Sequence, residues 1–227
     1  MIEPMKYDSF GHTYNKKVFN RFGVPQRHSG IDLNLGRGTD DLNDPIWSPL
    51  DGKVIFSARA GSWGHMIVIR HDLPTPFEYR GKTYSVVWSR QAHMQKRIVM
   101  LDDLVKEGQQ IGTCGGTGRF NRSYSPHDHF DIILQHLGKW TSYTSWWSAA
   151  KTEQYYADPL KFIWLYNQFL EDLKKKDDKD ILRREQELDA LWAKFKRTGL
   201  VKKDIRRQKL MSFGDFAEIY FRMNPQK

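Results

Sequence analysis

Two arrangements in this 227-residue sequence bring together side chains that could do chemistry. The first is His127-Asp128-His129, inside Ser-Pro-His-Asp-His-Phe-Asp. If Pro126 opens an extended segment, alternate side chains share a face, so both imidazoles point one way and Asp128 and Phe130 the other. Two adjacent imidazoles repel once protonated, and a metal ion that keeps them neutral removes the conflict. The second is His28-Ser-Gly-Ile-Asp32, an imidazole and a carboxylate four residues apart beside Gly30, which permits an unusual turn. Together they offer three nitrogen or oxygen ligands and no thiol. That set suits Zn²⁺ in a catalytic site, where the fourth tetrahedral position is left to water. A structural zinc site needs a fourth protein ligand, and Cys114, the single cysteine, excludes a cysteine cluster and an internal disulfide framework. His12, His65, His71 and His136 lack partners at telling spacing and read as ordinary surface or core residues.

The elements that must position these groups are short strands. Val54-Ile-Phe56, Met66-Ile-Val-Ile69, Tyr84-Ser-Val-Val-Trp88 and Phe130-Asp-Ile-Ile-Leu134 are β-branched or aromatic runs. Between them stand Asp51-Gly52, Gly61, Gly64, Pro74, Pro76, Gly81, Gly108 and Gly112, which read as turns. The expected fold is mainly β, an antiparallel sandwich or barrel, with a helical extension at the C-terminal side. Gly112-Thr-Cys-Gly-Gly-Thr-Gly118 is too glycine-rich for a regular element and is expected to be a loop holding a small Cys114. Trp140, Trp146 and Trp147 fall in a polar-aromatic loop, either lining a groove for sugar or peptide or packing on the helical tail. The texture changes at Asp158-Pro159, an N-cap followed by a first helical residue. Leu160 to Leu173 then recur at helical spacing, and the charged Lys174–Asp180 stretch separates them from a second run, Ile181 to Phe195, closed by Gly199. A third run covers Ile205 to Tyr220. Residues 1–159 are therefore expected to form one domain and residues 160–227 a basic region of two or three helices.

Composition sets limits. Apolar residues make up 39% and aromatics 14%, enough for a buried core. No apolar run is long enough to cross a bilayer as a helix, and Met-Ile-Glu-Pro-Met-Lys lacks the apolar centre of a secretory signal. The net charge is +9, with 17 Lys and Arg against 11 Asp and Glu in residues 161–227. Such a tail favours a polyanionic partner or is a solvated lysine-rich surface.

Beyond these features, the chain resembles the lysostaphin-type, LytM-like zinc endopeptidases that cut peptidoglycan. The resemblance runs in order through His28-x3-Asp32 within His-Ser-Gly-Ile-Asp-Leu, Pro45-Ile-Trp-Ser-Pro-Leu-Asp-Gly-Lys-Val54 and Gly64-His-Met-Ile-Val-Ile-Arg-His71. It continues through Ala92-His93-Met94, Val105-x-x-Gly-Gln-x-Ile-Gly112, Gly116-Thr-Gly118 and Ser125-Pro-His-Asp-His-Phe-Asp131, covering roughly residues 25–160. It implies His28, Asp32 and His129 as zinc ligands, with His93 and His127 as the catalytic pair that does not bind metal. Where the family has Tyr-x-His-Leu this chain has Gln91-Ala-His93-Met, and where the family has Gly-Pro-His-Leu-His-Phe-Glu it has Ser-Pro-His-Asp-His-Phe-Asp131. Those departures leave open what orients His129.

The expected activity is hydrolysis of a peptide bond in the stem peptide or cross-bridge of bacterial peptidoglycan. One imidazole takes a proton from water and the other steadies the developing oxyanion. The basic tail is expected to favour anionic envelope polymers. Without an apolar leader, the expected routes to the wall are release from a host cytoplasm, as by a phage lysin, carriage on a phage particle, or another form of export. A non-catalytic, hydrolase-activating module is the competing reading, and the intact ligand set argues against it. Nucleic acid ranks last, since the tail carries no groove-reading motif.

Overall fold

A computed structural model of the chain describes residues 1–19, 25–119, 123–136, 138–140 and 148–197. Its strands are β1 (Ser9–Phe10), β2 (Lys17–Phe19), β3 (Pro25–Arg27), β4 (Ile31–Asn34), β5 (Pro45–Trp47), β6 (Gly52–Arg59) and β7 (His65–Tyr79). They continue as β8 (Lys82–Met94), β9 (Lys96–Arg97), β10 (Leu104–Val105), β11 (Gln110–Thr113), β12 (Gly115–Thr117), β13 (Ser123–Ile133) and β14 (Tyr156–Ala157). Helices α1 (Ala149–Tyr155) and α2 (Pro159–Arg197) flank β14. The main sheet has the order β1-β4-β13-β8-β7-β6-β10, with β12 and β14 also paired to β13, and β5-β11-β9 form a smaller sheet. All these pairings are antiparallel. The mainly β fold with a helical extension is what the alternation of short apolar runs and turns implied.

The sheet is buried on both faces at its centre, which is why its strands read as near-continuous apolar runs. Val54, Ile67, Ile69, Val87, Phe130 and Ile132 belong to the larger core; Met66, Val68 and Ala92 join Ala60 and Trp63 in a smaller one beside the site. The β7–β8 hairpin turns on Arg80 and Gly81, both at positive φ (52° and 71°), the pattern of a two-residue hairpin whose twist matches its strands.

Three sequence expectations are corrected. Gly112–Gly118 is not a loop: Gln110–Thr113 and Gly115–Thr117 are strands, with Cys114 fully buried between them. Glycine is needed there for close approach, because a Cβ at Gly115 would press on the Gln95 backbone and one at Gly116 on the Tyr124 carbonyl. Pro74 and Pro76 do not break a strand; they sit inside β7 where its register with β8 shifts between Asp72 and Phe77. Lys174–Asp180 does not separate two helices either. The stretch holds no Gly or Pro, and α2 runs through it as one 39-residue helix, with Arg183 3.7 Å from Asp180 and 3.8 Å from Glu187.

The expected start of the helix is met: the Lys161 amide donates to Asp158 Oδ1 at 3.3 Å, and Pro159 is the first helical residue. Its opening turns are core, with Phe162 and Tyr166 edge-on to Phe77, each at 5.4 Å. The compact β unit therefore runs from Met1 to Asp172, beyond the change of texture at residue 159, and a second unit begins at Leu173. Within that second unit Ile181 and Leu182 are exposed. Trp146, Trp147, Gly199 and the third helical run lie outside the described residues.

Candidate metal and catalytic site

Strand pairing brings the motifs together. β13 lies between β4 and β8 with His129 opposite Asp32 on one side and Ala92 on the other, and Asp131 opposite Arg90. Cross-strand partners share a face, so Asp32, His129, Asp131 and Arg90 crowd one side of the sheet. His28 precedes β4 and is tied down by its own backbone: its amide donates to Lys16 at 3.0 Å and its carbonyl accepts from Asn15 at 2.8 Å. Gly30 serves close approach rather than an unusual turn, since a Cβ there would meet the Phe130 carbonyl. The result is a triangle of donor atoms. His28 Nε2, Asp32 Oδ1 and His129 Nδ1 lie 3.0 Å from one another on every side. Ligands about 2.0–2.1 Å from a tetrahedral zinc are separated by about 3.3 Å, so the three residues fit such an ion with a shift of a few tenths of an ångström. Among the described residues this is the group able to hold a metal.

The electrostatics favour a cation. Burial alone would raise the Asp32 carboxyl, but hydrogen bonds from His12, His129 and His28 hold it well below the usual carboxylate range. Burial alone would lower His129, yet Asp131 and Asp32 outweigh it and push the imidazole up to about 9. Asp131 accepts from His129 Nε2 at 3.1 Å, which turns Nδ1 into the triangle. Burial disfavours the Asp131 charge, but Arg90 and His129 hold its carboxyl far down. Arg90 donates from Nε to Asp131 Oδ2 at 2.6 Å and from Nη1 to the Trp140 carbonyl at 2.8 Å, and its guanidinium lies 3.9 Å over the Trp63 ring. Asp131, although one carbon shorter than the family's glutamate, is thus what orients His129. Gln91, where the family has tyrosine, shares the opposite, core-facing side of β8 with its cross-strand partner Phe130.

The other two expected histidines converge on the same space. Their rings stand 4.8 Å apart, and His127 Nε2 is 3.9 Å from Asp32 Oδ1. Each donates its Nδ1 proton to a backbone carbonyl: His93 to Thr117 at 2.8 Å, His127 to Ser125 at 2.7 Å. Both tautomers are thereby fixed with Nε2 as a bare acceptor. Burial, with His127 and His129 nearby, lowers His93 to about 3, and burial lowers His127 as well. His93 sits at φ 62°, a left-handed conformation that a residue with a Cβ adopts at a cost. Trp63 stacks beside it and Tyr124 approaches edge-on at 4.7 Å. The glycine-rich stretch acquires a use here, because β12 presents the carbonyl that holds His93.

One histidine at the site escaped sequence reasoning. His12 Nδ1 donates to Asp32 Oδ2 at 2.9 Å, and its ring lies 5.5 Å from His28. No spacing signals it; backbone pairing delivers it. Arg90 and Trp63 were missed for the same reason. The remaining ordinary readings stand: His71 is buried with Nδ1 donating to the Asp51 carbonyl and Nε2 accepting from Ser89, and His136 lies against Trp140. Trp140 packs on Trp88. Burial keeps the Cys114 thiol protonated.

An antiparallel sheet carrying two imidazoles and a carboxylate in a triangle, with two further neutral imidazoles beside it, defines a metallohydrolase-type site. Residues 26–140 match peptidase family M23, and the chain belongs to that family. Over 128 residues it is 35% identical to the peptidoglycan DD-endopeptidase ShyC of Vibrio cholerae, a stretch covering 55% of this chain and 26% of that protein. A zinc-containing peptidase from Vibrio cholerae is similar at 29% identity over 58% of this chain and 35% of its own, with a TM-score of 0.44. The lysostaphin catalytic domain from Staphylococcus simulans is similar at 23% identity over 68% and 91%, with a TM-score of 0.45. The chain spans between a fifth and a third of the length of the first curated relatives it matches.

Proposed function

We propose that this peptidase is a zinc-dependent endopeptidase of bacterial peptidoglycan, with His28, Asp32 and His129 as zinc ligands and His93 and His127 as the proton-handling pair. The observation that carries the reading is the 3.0 Å donor triangle with two bare Nε2 atoms beside it. When bound, zinc lowers the pKa of water and polarises the scissile carbonyl. Asp131, backed by Arg90, keeps His129 Nδ1 turned inward. A substrate peptide laid across the site meets His93 and His127 as acceptors for the proton of the attacking water. A ring that takes that proton becomes a donor aimed at the same space, able to pass it to the leaving amine or to steady the oxyanion. The low basicity of both rings keeps them neutral, and so ready to accept, at pH 7.

Similarity to a peptidoglycan DD-endopeptidase supports a D,D cross-link as the bond cut. The lysine-rich segment from residue 161 supports added attraction to anionic envelope polymers. A non-catalytic wall-binding module would need none of these five side chains.

The test is release of peptides from purified walls, identified by mass spectrometry, alongside metal analysis. His93→Ala is expected to keep zinc and lose at least about a hundredfold in rate, whereas His129→Ala loses the metal. A chelator should stop release and zinc restore it. Full zinc occupancy in His129→Ala would overturn the ligand assignment, and chelator-resistant release would overturn the mechanism.

A further inference from the structure

We propose that His12 is a positioning residue for Asp32, holding the carboxylate as a one-oxygen ligand. The inference rests on the reading of Asp32 as a metal ligand. Asp32 divides its two oxygens: Oδ1 completes the donor triangle, while Oδ2 accepts from His12 Nδ1 at 2.9 Å. The contact is built into the backbone. Ser9 and Phe10 pair with Asn34 and Leu33; the Gly11 amide then donates to the Asp32 carbonyl at 3.0 Å, and the Asp32 amide to the His12 carbonyl at 2.8 Å. His12 is fixed directly alongside Asp32 by bonds running both ways. Glycine suits this close approach at position 11, where a Cβ would lie 3.2 Å from Asp32 Cβ and 3.3 Å from Asn34 Oδ1, a tight fit.

The chemistry follows from the carboxylate. A carboxylate with one oxygen restrained gives the metal a single atom and keeps its angle. Released, its second oxygen can rotate toward the ion and take up the position that the reaction needs for water. A hydrogen-bond donor on that oxygen prevents this and pre-orients the other, as outer partners of metal ligands do. Residue 12 lies outside residues 26–140, the stretch that matches the family, so the contact belongs to this chain's own N-terminal segment. The His12 side chain is half exposed, so replacing it opens no core cavity.

The test measures zinc affinity of the full chain by competition with a chromophoric chelator, for wild type, His12→Ala and His12→Asn, with melting of each metal-free protein as a check on folding. The Asn amide can place its Nδ2 donor near the position of the imidazole Nδ1. His12→Ala is expected to bind zinc about 10- to 100-fold more weakly, and His12→Asn to recover to within about threefold of wild type. Metal-free melting should show all three chains folded and unfolding cooperatively, with His12→Ala lowered by no more than the loss of one hydrogen bond to a carboxylate. Equal affinity in His12→Ala, or a His12→Asn variant as weak as His12→Ala, overturns the proposal while leaving the ligand reading intact. A wild-type chain that binds no zinc overturns the ligand reading itself.

Discussion

In the proposed zinc site, a proton and a divalent cation compete for one atom. His129 Nδ1 faces His28 Nε2 and Asp32 Oδ1, while Nε2 of the same ring donates to Asp131. Burial resists the charge, but the two carboxylates prevail and push the ring up to about 9. At neutral pH the metal-free ring therefore carries a proton that a metal must displace. Zinc binding is expected to release about one proton at pH 7.5, and affinity to fall about tenfold for each pH unit below that. Calorimetry in two buffers of different ionisation enthalpy reads the proton number directly. Binding with no proton release would mean that His129 is already neutral. At this scale much was legible from sequence: local spacing and the family resemblance single out His28, Asp32, His93, His127 and His129, and the structure brings these five side chains together. His12 and Arg90 carry no local mark, since strand pairing brings them in from 20 and 41 residues away.

Strand β13 shows why a single element can serve two environments. His127 and His129 face the site, as alternation implied, and Asp128 points the other way into full burial. Burial pushes the Asp128 carboxyl up to about 8, despite the opposing pull of His129. In the unfolded chain the same group titrates at about 3.9. Between those values the folded protein holds a proton that the unfolded chain has released, so this group costs stability progressively as pH rises from 4 to 8, and no further above 8. Asp128→Asn keeps the shape and removes the titration. Its unfolding free energy from urea titration, measured without metal, should gain on wild type between pH 5 and pH 8, by an amount on the order of 4 kcal/mol. A constant difference across that range would show that Asp128 does not titrate with folding. Sequence placed Asp128 on the far face by period alone. It did not show that the far face was sealed, because that depends on which distant segments of the chain close over it.

For the whole molecule, the decisive feature is where the compact unit ends. Phe162, Ile163 and Tyr166 are buried with Phe77 and Tyr79, so the opening turns of α2 complete the β core. Each such side chain is worth about 1.5–3 kcal/mol, and losing three would remove much of the stability of an ordinary domain. A chain stopped after Asp158 is expected to lose cooperative unfolding. One stopped after Asp172 should melt within a few degrees of the full chain and bind zinc equally well. The same shorter chain tests the basic segment: it should bind purified walls less tightly at low salt and equally at high salt. A well-folded chain ending at Asp158 would show that α2 is dispensable to the core.

The sequence by itself determined the β class and the helix start at Asp158-Pro159, and it singled out the five side chains that the structure brings together. These depend on period, capping and short motifs, all of which act over a few residues. Only the tertiary structure decided that the glycine-rich segment from 112 to 117 is built from two strands, that α2 belongs partly to the β unit, and that His12, Asp131 and Arg90 hold the site in shape. Those outcomes turn on backbones approaching too closely for a Cβ and on strands pairing across long stretches of chain. No local pattern records which distant segment will be the neighbour.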